Sequence, residues 1–168
     1  GTSTGNKINM KLITVAAAII LNDQQQLLVV RKKNTEFFMQ VGGKLEPNEL
    51  PEVTMLREIQ EEIGCEARIE QFIGRFETMA ANEPDHQLVS YVYHVELNQM
   101  PYIDAEIAEM KWIDLDDQTT QLAPLTHEIA FPWEELQVNP NETDYFGVEI
   151  VVQDSDISER NNAYYLNG

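Results

Sequence analysis

Residues 50–64 constrain the fold most, because they carry the signals of one helix with both of its ends defined. Pro51 fits the first helical turn, where its missing N–H is tolerated, and Gly64 fits the left-handed position after the last turn. At about 100° per residue, one face of this helix collects five apolar side chains, Val53, Met55, Leu56, Ile59 and Ile63. The chain therefore has to bury that face against a core.

Aliphatic and β-branched runs on both sides of this helix predict strands. We place six of them, at residues 12–21, 26–30, 37–41, 67–79, 88–97 and 109–113. The first two are expected to form a pair across a short turn, and Gly42 and Gly43 lead from the third into a loop. A second helix is expected from Thr126 onward, interrupted by Pro132. Strands around one long helix, with a late second helix, predict an α+β domain layered as α/β/α.

The composition describes one acidic domain. The chain has 168 residues and a formal net charge of −18, and its length suits a single domain. Such a charge repels phosphate backbones and anionic bilayers, so we expect neither duplex nucleic acid nor membrane as a partner. Residues 12–21 could be mistaken for a signal peptide, but no small-residue cleavage site follows them. Cys65 is the only cysteine, which predicts a reducing compartment and a cytoplasmic location.

Three glutamates share another face of the predicted helix, namely Glu58, Glu61 and Glu62. Like charges three and four positions apart destabilise a helix by a few tenths of a kcal/mol each, and glutamate near the C-terminal end opposes the helix dipole. A hard divalent cation such as Mg²⁺ or Mn²⁺ would compensate, because carboxylate oxygens are its preferred ligands. The alternative is an ordinary solvated acidic face, and the spacing alone does not decide between them.

The segment of residues 43–65, GKLEPNELPEVTMLREIQEEIGC, resembles the Nudix box. The matching positions are Gly43, Glu49, Arg57, Glu58, Ile59, Glu61, Glu62 and Gly64. Two positions depart from the common pattern: Cys65 replaces a bulky apolar residue, and Val41 stands where many relatives carry proline. With the flanking strands, the resemblance covers residues 10–133. It implies the Nudix fold, a mixed β-sheet between helices.

The resemblance also implies a reaction and a cofactor. It implies a hydrolase that cleaves the pyrophosphate linkage of a nucleoside diphosphate joined to a group X, with Mg²⁺ or Mn²⁺ as the cofactor. Glu58, Glu61 and Glu62 would hold the metal together with a backbone carbonyl near Gly42. Glu58 is our candidate for taking the proton from water, and Glu61 belongs to the same catalytic group. A further ligand or base could come from an acidic loop, which is otherwise simply exposed, at Asp104, Glu106 or Glu109.

Arginine and lysine residues near the box have two possible roles each. The family pattern implies that Arg57 pairs with Glu49 and anchors the loop to the helix, although Arg57 could instead clamp a phosphate. Arg31, Lys32 and Lys44 belong to the only basic cluster in the chain and could contact substrate phosphates. A solvated strand end is the alternative for these three residues.

The substrate and the assembly stay open at this point. A nucleoside triphosphate, a nucleotide sugar such as ADP-ribose and a dinucleotide polyphosphate are all compatible with a small nucleotide substrate. Two alternative functions stay open. One is an RNA 5′-end pyrophosphohydrolase, which the net negative charge of the chain opposes, and the other is a nucleotide-binding regulatory domain without turnover. A homodimer is possible, with an apolar patch at residues 145–152 as an interface.

The resemblance to the Nudix family also suggests domain boundaries. We expect an N-terminal extension or processing remnant at residues 1–9, a Nudix hydrolase domain at residues 10–136 and an acidic C-terminal extension at residues 137–168. The excess of acid lies mainly late in the chain, since residues 112–168 contain 12 acidic residues and a single basic residue, Arg160.

Overall fold

A computed structural model describes residues 11–81 and 83–138 of the chain. The strands are β1 Lys11–Ile20, β2 Leu27–Lys32, β3 Val41–Lys44, β4 Ala67–Met79, β5 His86–Leu97 and β6 Ile107–Ile113. The helical elements are α1 Pro51–Ile63, a π-helical turn Thr126–Ala130 and α2 Phe131–Val138. The extension at residues 1–9 and the apolar patch at residues 145–152 lie outside the described residues.

The strands form two sheets. The larger has the order β3-β1-β5-β4, in which β1 runs parallel to β5 and antiparallel to β3, and the smaller pairs β2 with β6. The expected pairing of the first two strands is therefore wrong, because only a single bridge, Leu21 to Leu27, joins them. Hydrophobic patterning identifies a buried strand but carries little information about its partner, which long-range packing selects.

Helices cover both faces of the larger sheet. On one face, Met55 and Ile59 of α1 pack in a cluster with Ala16 and other residues of the sheet. On the opposite face, Trp133 of α2 belongs to a cluster that contains Ile19. This arrangement confirms the predicted α+β class with α/β/α layers. Among the described helices, none is long and apolar enough to cross a membrane.

Helix α1 begins and ends where the sequence predicts. Pro51 is its first residue, and Gly64 follows it with φ 68°, donating its N–H to the carbonyl of Gln60. A side chain at Gly64 would also lie 2.3 Å from the ring of Tyr102, so glycine is required there twice over. The predicted core face of α1 is wrong at one position, because Val53 is exposed and Glu62, which was assigned to the acidic face, is buried. The reason is that the helix turns its Glu62 side toward β3 and the end of β2.

Two further expectations are corrected. The third strand lies later than predicted, at Val41–Lys44, so that Gly42 and Gly43 are strand residues paired with β1. The preceding segment forms only isolated bridges, from Met39 to Val30 and from Phe38 to Leu122. The helical segment that begins at Thr126 does not end at Pro132; instead it changes from the π-helical turn to α2 at Phe131, one residue before the proline.

Candidate active site

An ion pair joins α1 to the loop before it. The guanidinium of Arg57 donates from Nε to Glu49 Oε2 and from Nη2 to Glu49 Oε1, both at 3.0 Å. Glu49 also accepts hydrogen bonds from the Thr54 hydroxyl at 2.7 Å and from the Glu46 N–H at 3.0 Å. The bond from Arg57, followed by those from Thr54 and Glu46, lowers the pKa of Glu49 to about 2. Two parallel bonds between planar groups fix the loop and the helix in one relative orientation.

The same arginine reaches two glutamates of the predicted metal site. Its Nη1 lies 3.0 Å from Glu58 Oε2 and 3.4 Å from both carboxylate oxygens of Glu61. The Glu49 carboxylate raises the pKa of Arg57 further above its ordinary value, so the guanidinium stays charged. Arg57 thus contacts one carboxylate of the loop and two of the helix, in a position to orient them.

Glu58 and Glu62 lie side by side at the buried edge of α1. Burial is the main cause that raises the pKa of Glu62 to about 8, and the neighbouring Glu58 adds to it, whereas Lys32 opposes it. Burial is also the main cause of the raised pKa of Glu58, followed by the charge of Glu61. Glu62 accepts the N–H of Gly42 at 3.4 Å, and its Oε2 lies 3.7 Å from Lys32 Nζ.

Gly43 leaves the space that Glu58 occupies. A β-carbon at this position would lie 2.5 Å from Cδ of Glu58, which is closer than non-bonded carbon atoms approach. Glu61 differs from its neighbours, since half of its side chain is exposed and its described contact is with Arg57. The three predicted ligands are therefore not equivalent: Glu58 and Glu62 converge beside Gly42 and Gly43, and Glu61 points along the helix surface.

The carboxylates suit a divalent cation that keeps part of its water shell. Within residues 11–81 and 83–138, no three histidine, cysteine, aspartate or glutamate side chains converge closely enough to enclose a metal ion. Mg²⁺ does not need such a cage, because it usually binds one or two carboxylates and completes its shell with water and substrate phosphates. Two adjacent carboxylates, the buried Glu62 and the partly buried Glu58, with raised pKa values and one nearby lysine, fit that requirement.

Residues 10–133, which include this loop and helix, match the NUDIX domain. The chain belongs to the NUDIX domain family. It is accordingly a Nudix hydrolase, and hydrolases of this family generally use divalent metal ions and act on small nucleotides. No curated relative matches the chain significantly. The predicted resemblance to the Nudix family is confirmed by this match.

Solved structures show the same fold. The solution structure of the E. coli ORF135 protein is 23% identical, with a TM-score of 0.62, covering 79% of this chain and 96% of that one. A MutT NUDIX hydrolase from Burkholderia pseudomallei is 23% identical, with a TM-score of 0.63 and coverages of 72% and 96%. A UDP-X diphosphatase is 21% identical, with a TM-score of 0.63 and coverages of 82% and 72%.

Of the three basic residues predicted near the Nudix site, one contacts its carboxylates. Lys32 reaches Glu62, as described above, whereas the Arg31 guanidinium is bound to Glu109 at 2.7 Å and to the carbonyl of Thr35. Lys44 is mostly exposed and lies 3.4 Å from Glu83. Lys32 is therefore the best placed of the three to meet a phosphate.

The acidic loop after β5 packs against the C-terminal end of α1. Tyr102 and Asp104 donate their backbone N–H groups to the carbonyls of Ile63 and Glu62, at 3.1 and 3.0 Å. These bonds satisfy carbonyls that a helix end leaves without partners. The Asp104 carboxylate accepts the N–H of Ala105, and Glu109 is paired with Arg31. The loop thus supports the helix, and a role for its acids as ligands stays a prediction.

A cavity of about 250 Å³ adjoins the carboxylates. Its wall is mostly apolar and includes Ile13, Met79, Leu88 and Leu125. Lys32 and Gly42, which contact Glu62, also line the cavity, so the carboxylates lie at its edge. Sequence reasoning missed another wall residue, Gln40, whose only signal was a polar side chain within an apolar strand.

A second, wider groove of about 660 Å³ lies at the other end of β1. It is lined by Trp112, Trp133 and His94, and the rings of His94 and Trp133 are centred 4.9 Å apart. None of the Nudix-box carboxylates lines it. The smaller cavity is therefore the one whose position relates to the chemistry.

Proposed function

We propose that the chain hydrolyses the pyrophosphate linkage of a nucleoside diphosphate joined to a group X, with Mg²⁺ or Mn²⁺ bound by Glu58 and Glu62. The observation that carries this proposal is that these two carboxylates lie side by side at the edge of a mainly apolar cavity. One end of a nucleotide is apolar and stacks, and the other carries phosphate charge that a cation must neutralise. The cavity and the carboxylates offer these two environments next to each other.

The described residues would divide the work as follows. The oxygen of a water molecule forms a bond to phosphorus, and the bond from phosphorus to the bridging oxygen breaks, giving a nucleoside monophosphate and phosphorylated X. A bound divalent cation would supply positive charge to the phosphoryl oxygens. Glu58 would accept the proton of the attacking water, and Lys32 would add positive charge beside the phosphates. The backbone carbonyl of Gly42 would be a further metal ligand, and Glu61 would bind the metal from the exposed side of the site.

Arg57 and Glu49 would act by positioning. Their paired hydrogen bonds connect the loop to α1, and Arg57 also contacts Glu58. Because a displacement of about 1 Å at a reacting centre can lower a rate by about 10²-fold, such anchoring contributes to turnover without touching substrate.

The size of the cavity favours a single small nucleoside. Pockets for drug-sized ligands span roughly 300–1,000 Å³, and this cavity, at about 250 Å³, lies just below that range. Among proteins with a similar fold, one is a UDP-X diphosphatase and another, from Streptococcus suis, an ADP-ribose pyrophosphatase. Both names describe nucleoside diphosphates joined to another group, which supports the proposed substrate class.

The test is a substrate panel with product identification. Nucleoside triphosphates, nucleotide sugars, dinucleotide polyphosphates and a capped RNA are incubated with the protein and Mg²⁺ or Mn²⁺, and products are resolved by chromatography. We expect a nucleoside monophosphate from a small substrate, and no turnover when EDTA removes the metal. Cleavage of the capped RNA alone would favour the RNA-end function, and binding without turnover would favour a regulatory domain.

Variants identify the residues involved. Glu58→Gln and Glu62→Gln are each expected to lower kcat/KM by roughly 10²- to 10³-fold, the usual cost of removing a charge-stabilising group. Glu61→Gln should have a smaller effect, because half of its side chain is exposed. Glu66→Gln is the matched control, since Glu66 is an exposed residue just after the same helix. Full activity of Glu62→Gln would contradict the proposed metal site.

A further inference from the structure

The loop between β5 and β6, residues 98–106, is bonded to two separate segments of the candidate site. Asp104 donates its backbone N–H to the carbonyl of Glu62 at 3.0 Å. Two residues later, the carbonyl of Glu106 accepts the backbone N–H of Lys33 at 2.8 Å. Glu62 belongs to α1, and Lys33 follows the last residue of β2. The β5–β6 loop therefore connects the backbone of the helix to the backbone of the strand.

These two segments carry the charged pair at the edge of the smaller cavity. Lys33 is the chain neighbour of Lys32, whose Nζ lies 3.7 Å from Oε2 of Glu62. A nitrogen and an oxygen at this separation attract each other by charge but form no direct hydrogen bond, so the oxygen keeps its lone pairs for another cation. Because the two side chains extend from different segments, the spacing of those segments limits how closely the ammonium and the carboxylate approach.

A strained residue lies between the two attachment points. Ala105 has φ 50°, a conformation that residues with a β-carbon rarely adopt. Ile107 donates its N–H to the carbonyl of Asp104 at 3.1 Å, which closes a tight turn around Ala105. The Asp104 carboxylate accepts the N–H of Ala105 at 2.7 Å. Such a conformation persists only where the surrounding structure holds it, and here the bonds to α1 and β2 lie on either side of it.

Tyr102 secures the helix side of the β5–β6 loop. Its backbone N–H donates to the carbonyl of Ile63 at 3.1 Å. Its ring lies so close to Gly64 that a β-carbon there would be 2.3 Å from the ring. Together with the bond from Asp104, these contacts attach the loop to the chain at Glu62, Ile63 and Gly64. The backbone of Glu62 is thus held from the side opposite to its carboxylate.

We infer that the β5–β6 loop positions the metal site, with Ala105 and Tyr102 as its positioning residues. They hold Glu62 and Lys32 at a spacing that lets the carboxylate take a divalent cation beside the lysine. Both act through this pair and not on the substrate. The inference rests on the proposed function for the metal, whereas the coupling of the loop to Glu62 does not need it. Supporting contacts of this kind typically change metal affinity by about 10- to 100-fold.

Two substitutions at one position test the turn. Proline restricts φ to about −65°, so Ala105→Pro cannot form the turn, whereas Ala105→Gly adopts the positive φ readily. Mn²⁺ binding to the full chain is measured by electron paramagnetic resonance without a nucleotide. We expect Ala105→Pro to weaken Mn²⁺ binding by about tenfold and Ala105→Gly to keep the wild-type affinity. Equal Mn²⁺ affinities of these two variants would overturn the inference.

Tyr102 allows a milder test, because its ring can be removed without changing the backbone. Tyr102→Ala should weaken Mn²⁺ binding by a few-fold, since the loop then loses its contact with Gly64. Tyr102→Phe keeps the ring and should keep the wild-type affinity. An affinity unchanged in Tyr102→Ala would contradict the role of Tyr102.

Gln25→Pro separates positioning from a general loss of stability. Gln25 is exposed in the turn between β1 and β2, and its φ of 62° is also unavailable to proline. This variant should lower the thermal unfolding temperature, as Ala105→Pro does, but leave Mn²⁺ affinity unchanged. If both proline variants lose Mn²⁺ affinity equally, destabilisation alone explains the effect and the inference fails.

A double-mutant cycle tests whether the loop acts through the charged pair. In a Lys32→Met background, Ala105→Pro should lose less Mn²⁺ affinity than in the wild type, because the pair whose spacing the loop determines is absent. Strictly additive losses would show that the loop does not act on the spacing of Lys32 and Glu62.

A measurement without metal distinguishes this inference from the proposed function. The N–H of Gly42 lies 3.4 Å from Oε1 of Glu62, so its NMR resonance reports the position of that carboxylate. Ala105→Pro should shift the Gly42 resonance, and Ala105→Gly should leave it in place. An unshifted resonance in Ala105→Pro overturns the inference, whatever the metal does. If the resonance shifts but the wild type binds no Mn²⁺, the coupling of the loop to Glu62 stands and the proposed metal site is wrong.

Discussion

The backbone N–H of Gly42 lies 3.4 Å from Oε1 of Glu62. This contact joins the strand β3, which carries the glycine pair, to the last turn of the helix α1, which carries the carboxylates. Gly42 lines the cavity, and Glu62 lies beside Lys32, which also lines it. The geometry of the proposed metal site therefore depends on how closely β3 and α1 approach each other.

The two glycines of β3 should respond differently to the same substitution. A β-carbon at Gly42 would lie 2.1 Å from the backbone oxygen of Ala16, which cannot move without disturbing the sheet. We expect Gly42→Ala to lower the free energy of unfolding by about 3 kcal/mol, measured by urea denaturation. A β-carbon at Gly43 would meet the Glu58 side chain, which can rotate away. Gly43→Ala should therefore stay folded but lose about 10²-fold in kcat. The reverse pattern would contradict this assignment.

Replacing Arg57 by lysine should impair turnover although the charge is kept. Lysine cannot form the two parallel bonds that Arg57 makes to Glu49, nor contact Glu58 at the same time. We expect Arg57→Lys to lower kcat and the apparent affinity for Mg²⁺ by about 10- to 100-fold. The matched control is Arg68→Lys, because Arg68 is exposed and pairs with Glu70 on the sheet surface. Equal activity of both variants would show that the paired bonds are dispensable.

Acid should remove the contribution of Glu49 to stability. Its pKa is about 2 in the folded protein, below the ordinary value of 4.5, so the folded state binds this proton less tightly than the unfolded state. The stabilisation is fully present above about pH 4.5 and is lost as the pH falls toward 2. In urea denaturation, the difference in unfolding free energy between the wild type and Glu49→Gln should shrink over that range. A difference that does not change with pH would contradict it.

The buried carboxylate of α2 should affect stability with the opposite pH dependence. Glu134 of α2 is fully buried, and neither of its carboxylate oxygens has a hydrogen-bond partner within the described ranges. Burial, followed by the charges of Asp114 and Glu135, raises its pKa to about 8. The folded state therefore binds this proton more tightly, so stability is greatest below about pH 4.5 and is lost as the pH rises through 8.

Glu134→Gln isolates this effect, because an amide does not titrate. As the pH rises from 5 to 8.5, the unfolding free energy of the wild type should fall by about 4 kcal/mol relative to that of this variant, measured by denaturation at each pH. Glu128→Gln serves as the control, since Glu128 is exposed on the preceding π-helical turn, and it should show little change. Parallel pH profiles for Glu134→Gln and the wild type would show that Glu134 is not protonated in the folded state.

Much of the fold was predictable where local rules act. The ends of α1 follow from Pro51 and Gly64, which restrict the backbone directly, and β4 has the predicted bounds. The Nudix family followed from side chains at fixed spacing and is confirmed by the match over residues 10–133. The partners of β1 and β2 were not predictable, because strands buried on both faces lack the alternation that indicates register.

Sequence by itself determined which chemical groups this protein brings to its site, because the box sets Glu49, Arg57 and three glutamates at helical spacing. Tertiary structure alone decided how they differ. It buries Glu62 against Gly42, leaves Glu61 half exposed, and assigns Arg31 to Glu109 and Lys32 to the carboxylates. It also brings together two residues that no local pattern relates, Gln40 and Thr126. The physical reason is that spacing along a chain governs backbone conformation and helix faces, whereas burial, pKa and cavity shape arise from contacts between distant segments.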